Sequence, residues 1–123
     1  MQLCKLDEFN RVYFLDSFQS DLDKLYKKNQ KEKKEYMFFL FAQLSKIEHR
    51  NENIKHVEPI EYKDVTFHCI RKKTKKNTRV LYYYLDDNKI VLLTAFNEKN
   101  KSDYDRGKEL AYNRLKKIKN DYL

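Results

Sequence analysis

Residues 79–96 read RVLYYYLDDNKIVLLTAF, and they decide the fold class. Two apolar, β-prone runs flank the turn-forming DDNK, the pattern of a β-hairpin. Asp86 and Asp87 are accounted for by that turn. Along the first run the side chains alternate, with Arg79, Leu81, Tyr83 and Leu85 on one face and Val80, Tyr82 and Tyr84 on the other. The second run, IVLLTAF (90–96), is apolar without alternation, as in a strand covered on both faces. A hairpin needs no arginine at its head. Arg79 closes RKKTKKNTR (71–79), nine residues with six bases and no acid.

Working outward, TFHCIRKK (66–73) predicts another strand, with Phe67, Cys69, Arg71 and Lys73 on one face. Before it, the polar segment 49–65 holds the only proline and reads as a loop. RVYFL (11–15) predicts a short first strand. A helix follows, capped by Asp16 or Ser17, with Phe18, Leu22, Leu25 and Tyr26 at helical spacing. After a break at Asn29–Gln30, a second helix over 31–48 carries Tyr36, Phe39, Leu40, Leu44 and Ile47, its stripe widened by Met37, Phe38 and Phe41. A charged loop (97–103) leads to a last helix over 103–119, capped by Ser102 or Asp103, with Tyr104, Ala111, Leu115 and Ile118 on one side. The order β-α-α-β-β-β-α predicts an α+β domain. Its small antiparallel sheet would carry the two N-terminal helices on one face, with a C-terminal helix, and leave its other face open.

At 123 residues the chain reads as a single domain, 1–123. One Gly and one Pro leave no room for a Gly-rich phosphate loop or a flexible linker. The formal charge of +8 points to nucleic acid, the ribosome or an acidic protein as partner. Cys4 and Cys69 stand alone, as reduced thiols of a cytoplasmic protein do. His49, His56 and His68 lack metal-ligand spacing, so neither a metal nor another cofactor is expected. No apolar leader is visible, and the apolar run 36–42 is far too short to span a membrane.

If 66–73 and 79–85 pair as neighbours, Arg71 and Arg79 lie close together on the open face. Two adjacent guanidiniums repel unless an anion sits between them, and no local acid is at hand, so the pair anticipates phosphate. Basic and aromatic residues interleaved on a sheet fit single-stranded RNA, whose bases stack while Lys and Arg hold phosphates. The contacts expected for RNA are His68, Lys73, Lys75, Lys76, Tyr83 and Lys101, with Tyr82 and Tyr84 turned to the helices. His68 lies inside a strand, where a histidine is more often a satisfied structural residue.

The C-terminal half resembles the phage-derived branch of the RelE/HigB toxin superfamily. The resemblance rests on CIR (69–71), TRVLYY (78–83), IVLLTAF (90–96), NEKNK (97–101) and AYNR (111–114), in that order and spacing. It implies a RelE-like fold and a toxin of a type II toxin–antitoxin system, an mRNA endonuclease acting on the ribosome. Cleavage in that family uses no metal: the RNA's own 2′-hydroxyl attacks the adjacent phosphate. The resemblance further implies that Arg71 and Arg79 clamp the phosphate, that Lys99 stabilises charge or protonates the leaving group, and that Tyr104 stacks on a base or moves a proton. The implied partners are ribosome-bound mRNA and a cognate antitoxin, a small helix-turn-helix protein. The toxin would be a monomer or part of a toxin–antitoxin hetero-oligomer. The apolar excess at 36–41, read first as burial on more than one side, and the basic sheet face are both open to an antitoxin. Phe67 and Cys69 stand where RelE has lysines, and Glu98 takes one place of the family's lysine pair. The general base is therefore open among His68, Lys73 and Tyr104. A ParE-like gyrase inhibitor of the same fold, or a catalytically degenerate RNA-binding relative, remains the alternative.

Overall fold

The computed structural model describes residues 2–49, 54–73, 76–86 and 89–122. Nine elements follow in chain order: β1 (Leu3–Lys5), β2 (Val12–Leu15), α1 (Asp16–Leu25), α2 (Gln30–Glu48), β3 (Val57–Tyr62), β4 (Val65–Lys72), β5 (Thr78–Asp86), β6 (Lys89–Asn97) and α3 (Lys101–Tyr122). The class is α+β, as the hairpin predicted, but the sheet is six-stranded and mixed, in the order β1-β2-β6-β5-β4-β3. The expected antiparallel sheet is corrected at β2, which runs parallel to β6 with Tyr13 opposite Val91. A parallel pair needs a crossover, and the chain between β2 and β6 supplies one, with α1 and α2 in it.

Segment 49–65, expected to be a loop, contains β3. This strand pairs antiparallel with β4 through a two-residue turn at Lys63–Asp64, where Lys63 adopts a left-handed φ of 54°. Pro59 does not prevent this because β3 is the sheet's edge strand, where a missing N–H costs no ladder bond. The β4–β5 register is the one alternation predicted: Arg71 lies opposite Arg79, and Cys69 opposite Leu81.

Helices cover both faces, so the expected open face is also corrected. On one side, the Tyr26 hydroxyl at the end of α1 meets Thr78 Oγ1 at 3.1 Å, and the Tyr26 ring stacks on Tyr36 of α2. On the other side α3 crosses the sheet, with Tyr104 beside Arg79 and Phe96, and Lys119 over Tyr83. This double cover explains the unbroken apolar run in β6, where residues 90–95 are all buried. Between β2 and the end of β6 the strand edge is open, and α1 and α3 close it together. Ala95 N–H donates to Asp21, Arg114 donates to the Leu93 carbonyl, and Asp21 and Arg114 pair at 2.7 Å.

The caps differ in part from the expectation. Asn29, read as a break, is the N-cap of α2: its side chain accepts from Glu32 N–H and donates back to the Glu32 carboxylate. Asn100, rather than Ser102 or Asp103, caps α3, accepting from Asp103 N–H at 3.0 Å.

Candidate functional site

Arg79 leaves the head of β5 on the α3 face and is only 4% exposed. Burial alone would lower its pKa; hydrogen bonds with Glu98, Cys69 and Glu58 outweigh that and raise it, so the cation is held firmly. Nε donates to Glu98 Oε2 at 2.5 Å, and Nη1 donates to Glu58 Oε1 at 2.9 Å and approaches Cys69 Sγ at 3.4 Å. The acids missing from 71–79 thus arrive from β3 and from the end of β6. This corrects the picture of two unneutralised guanidiniums awaiting an anion. Glu98 and Glu58 together neutralise Arg79.

Asn77 joins the two arginines. Its φ of 45° is left-handed, a conformation that asparagine tolerates better than most residues. From there its Oδ1 accepts from Arg71 Nε at 3.0 Å while its Nδ2 donates to Glu98 Oε2 at 3.3 Å. Tyr104 lies on the far side of Arg79, its ring centroid 4.4 Å from the guanidinium carbon. Burial raises the Tyr104 hydroxyl's pKa, against the opposing pull of Arg79, and keeps it protonated. The Cys69 thiol is pushed up to about 11 by burial, again with Arg79 opposing.

Beside this network opens a cleft of about 300 Å³, lined by Lys55, His56, Val57, Glu58, Arg71 and Lys73. The Glu58 side chain is 49% exposed, against 17% for Glu98 and 5% for Arg79. Glu58 is therefore the carboxylate that reaches solvent, held from behind by a buried cation. His56 turns the chain into the cleft with a φ of 73°, and its carbonyl accepts from Arg71 N–H at 2.8 Å. One carboxylate in a wall of cations can bind an anion and accept a proton from a group attached to it.

Arg71, Arg79, Lys73 and Tyr104 are the sequence-predicted residues brought to this region. Lys99 and Lys101, both exposed, flank the Asn100 cap at the start of α3, and Lys99 N–H donates to Asp103. Three expectations fail. His68 faces α1 and α2, stacked on Tyr82 at 5.4 Å, and burial lowers its pKa. Tyr83 does not meet solvent-borne ligand; it lies half-buried under Lys119 with its edge to Phe67. Lys76 turns to the α1–α2 side, where it pairs with Glu32 at 3.4 Å and caps the Leu25 carbonyl. Of the tyrosines turned to the helices, Tyr82 is buried and Tyr84 is 39% exposed. Lys75 lies outside the described residues.

Glu58, His56 and Asn77 were missed. The signal for Glu58 was alternation within VEPIEY (57–62), which sets Glu58, Ile60 and Tyr62 on one face. Among the described residues no group of three His, Cys, Asp or Glu side chains is placed to hold a metal, and no helix is long and apolar enough to cross a membrane. No protein-family model matches the chain, and neither a curated protein nor a solved structure does.

Proposed function

We propose that the protein is a metal-independent endoribonuclease, the toxin of a type II toxin–antitoxin system acting on ribosome-bound mRNA in the cytoplasm. One observation carries this reading: a half-exposed carboxylate, Glu58, hydrogen-bonded to a buried arginine inside a cleft walled by Lys55, Arg71 and Lys73. The cleft cations hold the scissile phosphate. Glu58 takes the proton from the 2′-hydroxyl, whose oxygen attacks phosphorus and forms a pentacoordinate phosphorane.

Protonation of Glu58 weakens its bond to Arg79 as the phosphorane gains negative charge. The guanidinium is then available to that charge without moving far, since Glu98 still holds Nε. A cleft ammonium, Lys55 or Lys73, protonates the leaving 5′ oxygen, and the products are a 2′,3′-cyclic phosphate and a free 5′-hydroxyl. Tyr104 backs the guanidinium. The base thereby moves from the three residues weighed in the sequence to Glu58.

The test is brief expression followed by mapping of mRNA 5′ ends against ribosome position, with Glu58→Gln and Arg79→Ala alongside. Codon-phased cuts that vanish in both variants are the expected result. Intact mRNA would remove the nuclease reading. A second reading, a catalytically silent RNA-binding relative or a ParE-like gyrase inhibitor, draws on the neutralisation of Arg79 by two carboxylates. Double-strand DNA breaks with intact mRNA would favour the gyrase form. A cognate helix-turn-helix antitoxin is the expected partner in either toxin reading.

A further inference from the structure

We infer that the flank of α3 beside β3, together with the β3–β4 turn, is a track that carries single-stranded RNA away from the Arg79 site. The inference deepens the proposed function, resting on it for RNA as the substrate class. The track is visible first as a period. Tyr104, Lys108, Tyr112 and Lys116 recur every fourth residue, so rings and ammonium groups alternate along one helical stripe about 18 Å long.

The contacts then join the stripe to the site. Arg79 lies 4.4 Å from the Tyr104 centroid, and Lys108 Nζ lies 4.3 Å from the same ring and 5.6 Å from Tyr62. Lys63 covers Tyr62 at 5.4 Å and Tyr112 at 4.7 Å, and Lys116 covers Tyr112 at 4.8 Å. Glu58 and Tyr62 are on the same face of β3, so the second row of the track starts at the cleft carboxylate.

Two of the acids in this region, Glu109 and Asp64, hold ring edges, while Asp105 pairs with Lys108 at 3.5 Å. Tyr62 O–H donates to Glu109, and Tyr112 O–H donates to Asp64 at 2.8 Å. Glu109 also pairs with Lys63 at 3.2 Å. Tyr62 and Tyr112 are thus fixed in orientation, each with an ammonium on its face. A nucleotide can replace that arrangement with a better one: the base takes the ring face, where stacking outweighs an exposed cation–π contact, and the displaced ammonium moves to the phosphate. A folded acidic protein offers the charge but no regular supply of flat faces. Duplex RNA hides its bases.

Binding of a labelled, non-cleavable 2′-O-methyl oligonucleotide tests this apart from cleavage, because the readout is affinity alone. The expected result is that a single strand of roughly 12 nucleotides binds about tenfold tighter than one of roughly 4. The double variant Lys63→Ala/Lys116→Ala should erase most of that gain and reduce the slope of log K against log salt by about 1.4, two contacts at about 0.7 each. Tyr112→Ala should lose the length dependence while Tyr112→Phe keeps it. If Tyr112→Ala fails to fold, the lysine pair decides alone, since both are surface residues. Equal affinity for the two lengths, duplex bound as tightly as single strand, or no effect of the lysine pair overturns the track. Length-dependent binding without any mRNA cleavage would support the track and remove the nuclease reading.

Discussion

Arg71 and Arg79 are direct partners across the β4–β5 ladder, yet no anion from outside is needed to keep them there. Asn77 accepts from Arg71 and donates to Glu98, and Glu98 accepts from Arg79, so a two-residue relay stands between the two cations. The relay divides their labour. Arg79 is buried and neutralised by two carboxylates, which makes it a fixed post. Arg71 borders the cleft with a neutral partner on its Nε, which leaves its positive charge for a ligand.

Glu98 should therefore be a stability residue before it is anything else. Removing one partner of a buried ion pair leaves a charge with incomplete compensation, typically at a cost of about 3 kcal/mol. Glu98→Ala should lower the unfolding free energy by that amount, read as a fall in the urea midpoint at an unchanged m value. Glu98→Gln, which retains an acceptor for Arg79 Nε, should recover part of the loss. A loss below about 1 kcal/mol in Glu98→Ala would mean that water replaces the carboxylate, and that Arg79 is less enclosed than its burial indicates.

The same relay shows where sequence reasoning reaches and where it stops. Alternation on β4 and β5 was enough to bring Arg71 and Arg79 together, because a ladder register is a local property of two strands joined by a short loop. Glu58 was not legible as their partner. It lies 21 residues from Arg79, on an edge strand whose Pro59 and two glutamates read as a loop. The apolar stripe of α3 was visible through Tyr104, Ala111, Leu115 and Ile118, but a stripe does not say which sheet face it covers. That choice decided the fate of Tyr83, which α3 closes off. Asn77 escaped notice because its part depends on a left-handed backbone that no spacing announces.

Alkaline pH should weaken the fold through Cys69. Its folded-state pKa is raised by burial from 9.0 to about 11, so the folded chain holds this proton more tightly than the unfolded chain. The stability linked to it is complete below pH 9 and is lost as pH rises through about 11, a loss on the order of 2 kcal/mol. Tyr36 and Tyr82, whose hydroxyls burial also raises, act in the same direction. Urea midpoints measured between neutral pH and pH 11 should fall, and Cys69→Ala should fall less steeply. Parallel curves for the two proteins would exclude the thiol as a source of the slope.

Gly107, the only glycine in the chain, sits in α3 directly over Phe96. Helix propensity alone says that Gly107→Ala gains about 1 kcal/mol. A Cβ at this position, however, would lie 2.3 Å from Phe96 Cε1, and the ring would have to move. Overpacking of that kind costs about 1–3 kcal/mol, so the net change should be destabilising. Thermal melts of Gly107→Ala and of Gly107→Ala/Phe96→Leu separate the terms: the first should melt lower than the parent, and the second should regain part of the difference. An increase in Tm for the single variant would show that helix propensity dominates.

The cleft itself should bind a simple anion, and Arg71 should be the residue that matters most. Arg79 has its charge compensated at once by Glu58 and Glu98, whereas Arg71 and Lys73 line open space. A ligand that binds only the folded chain stabilises it by mass action, about 1.4 kcal/mol at a tenfold excess over its Kd, or on the order of 5 °C in Tm. Inorganic phosphate should produce such a rise over chloride at matched ionic strength. Part of any rise comes from general exclusion of phosphate from protein surfaces, which acts on every variant alike. The specific part is the difference between variants. Arg71→Ala and Lys73→Ala should each lose it, while Lys76→Ala should keep it, because Lys76 is engaged with Glu32 on the α1–α2 side of the sheet. A phosphate effect that survives Arg71→Ala would place the anion elsewhere and leave Glu58 without a phosphate beside it.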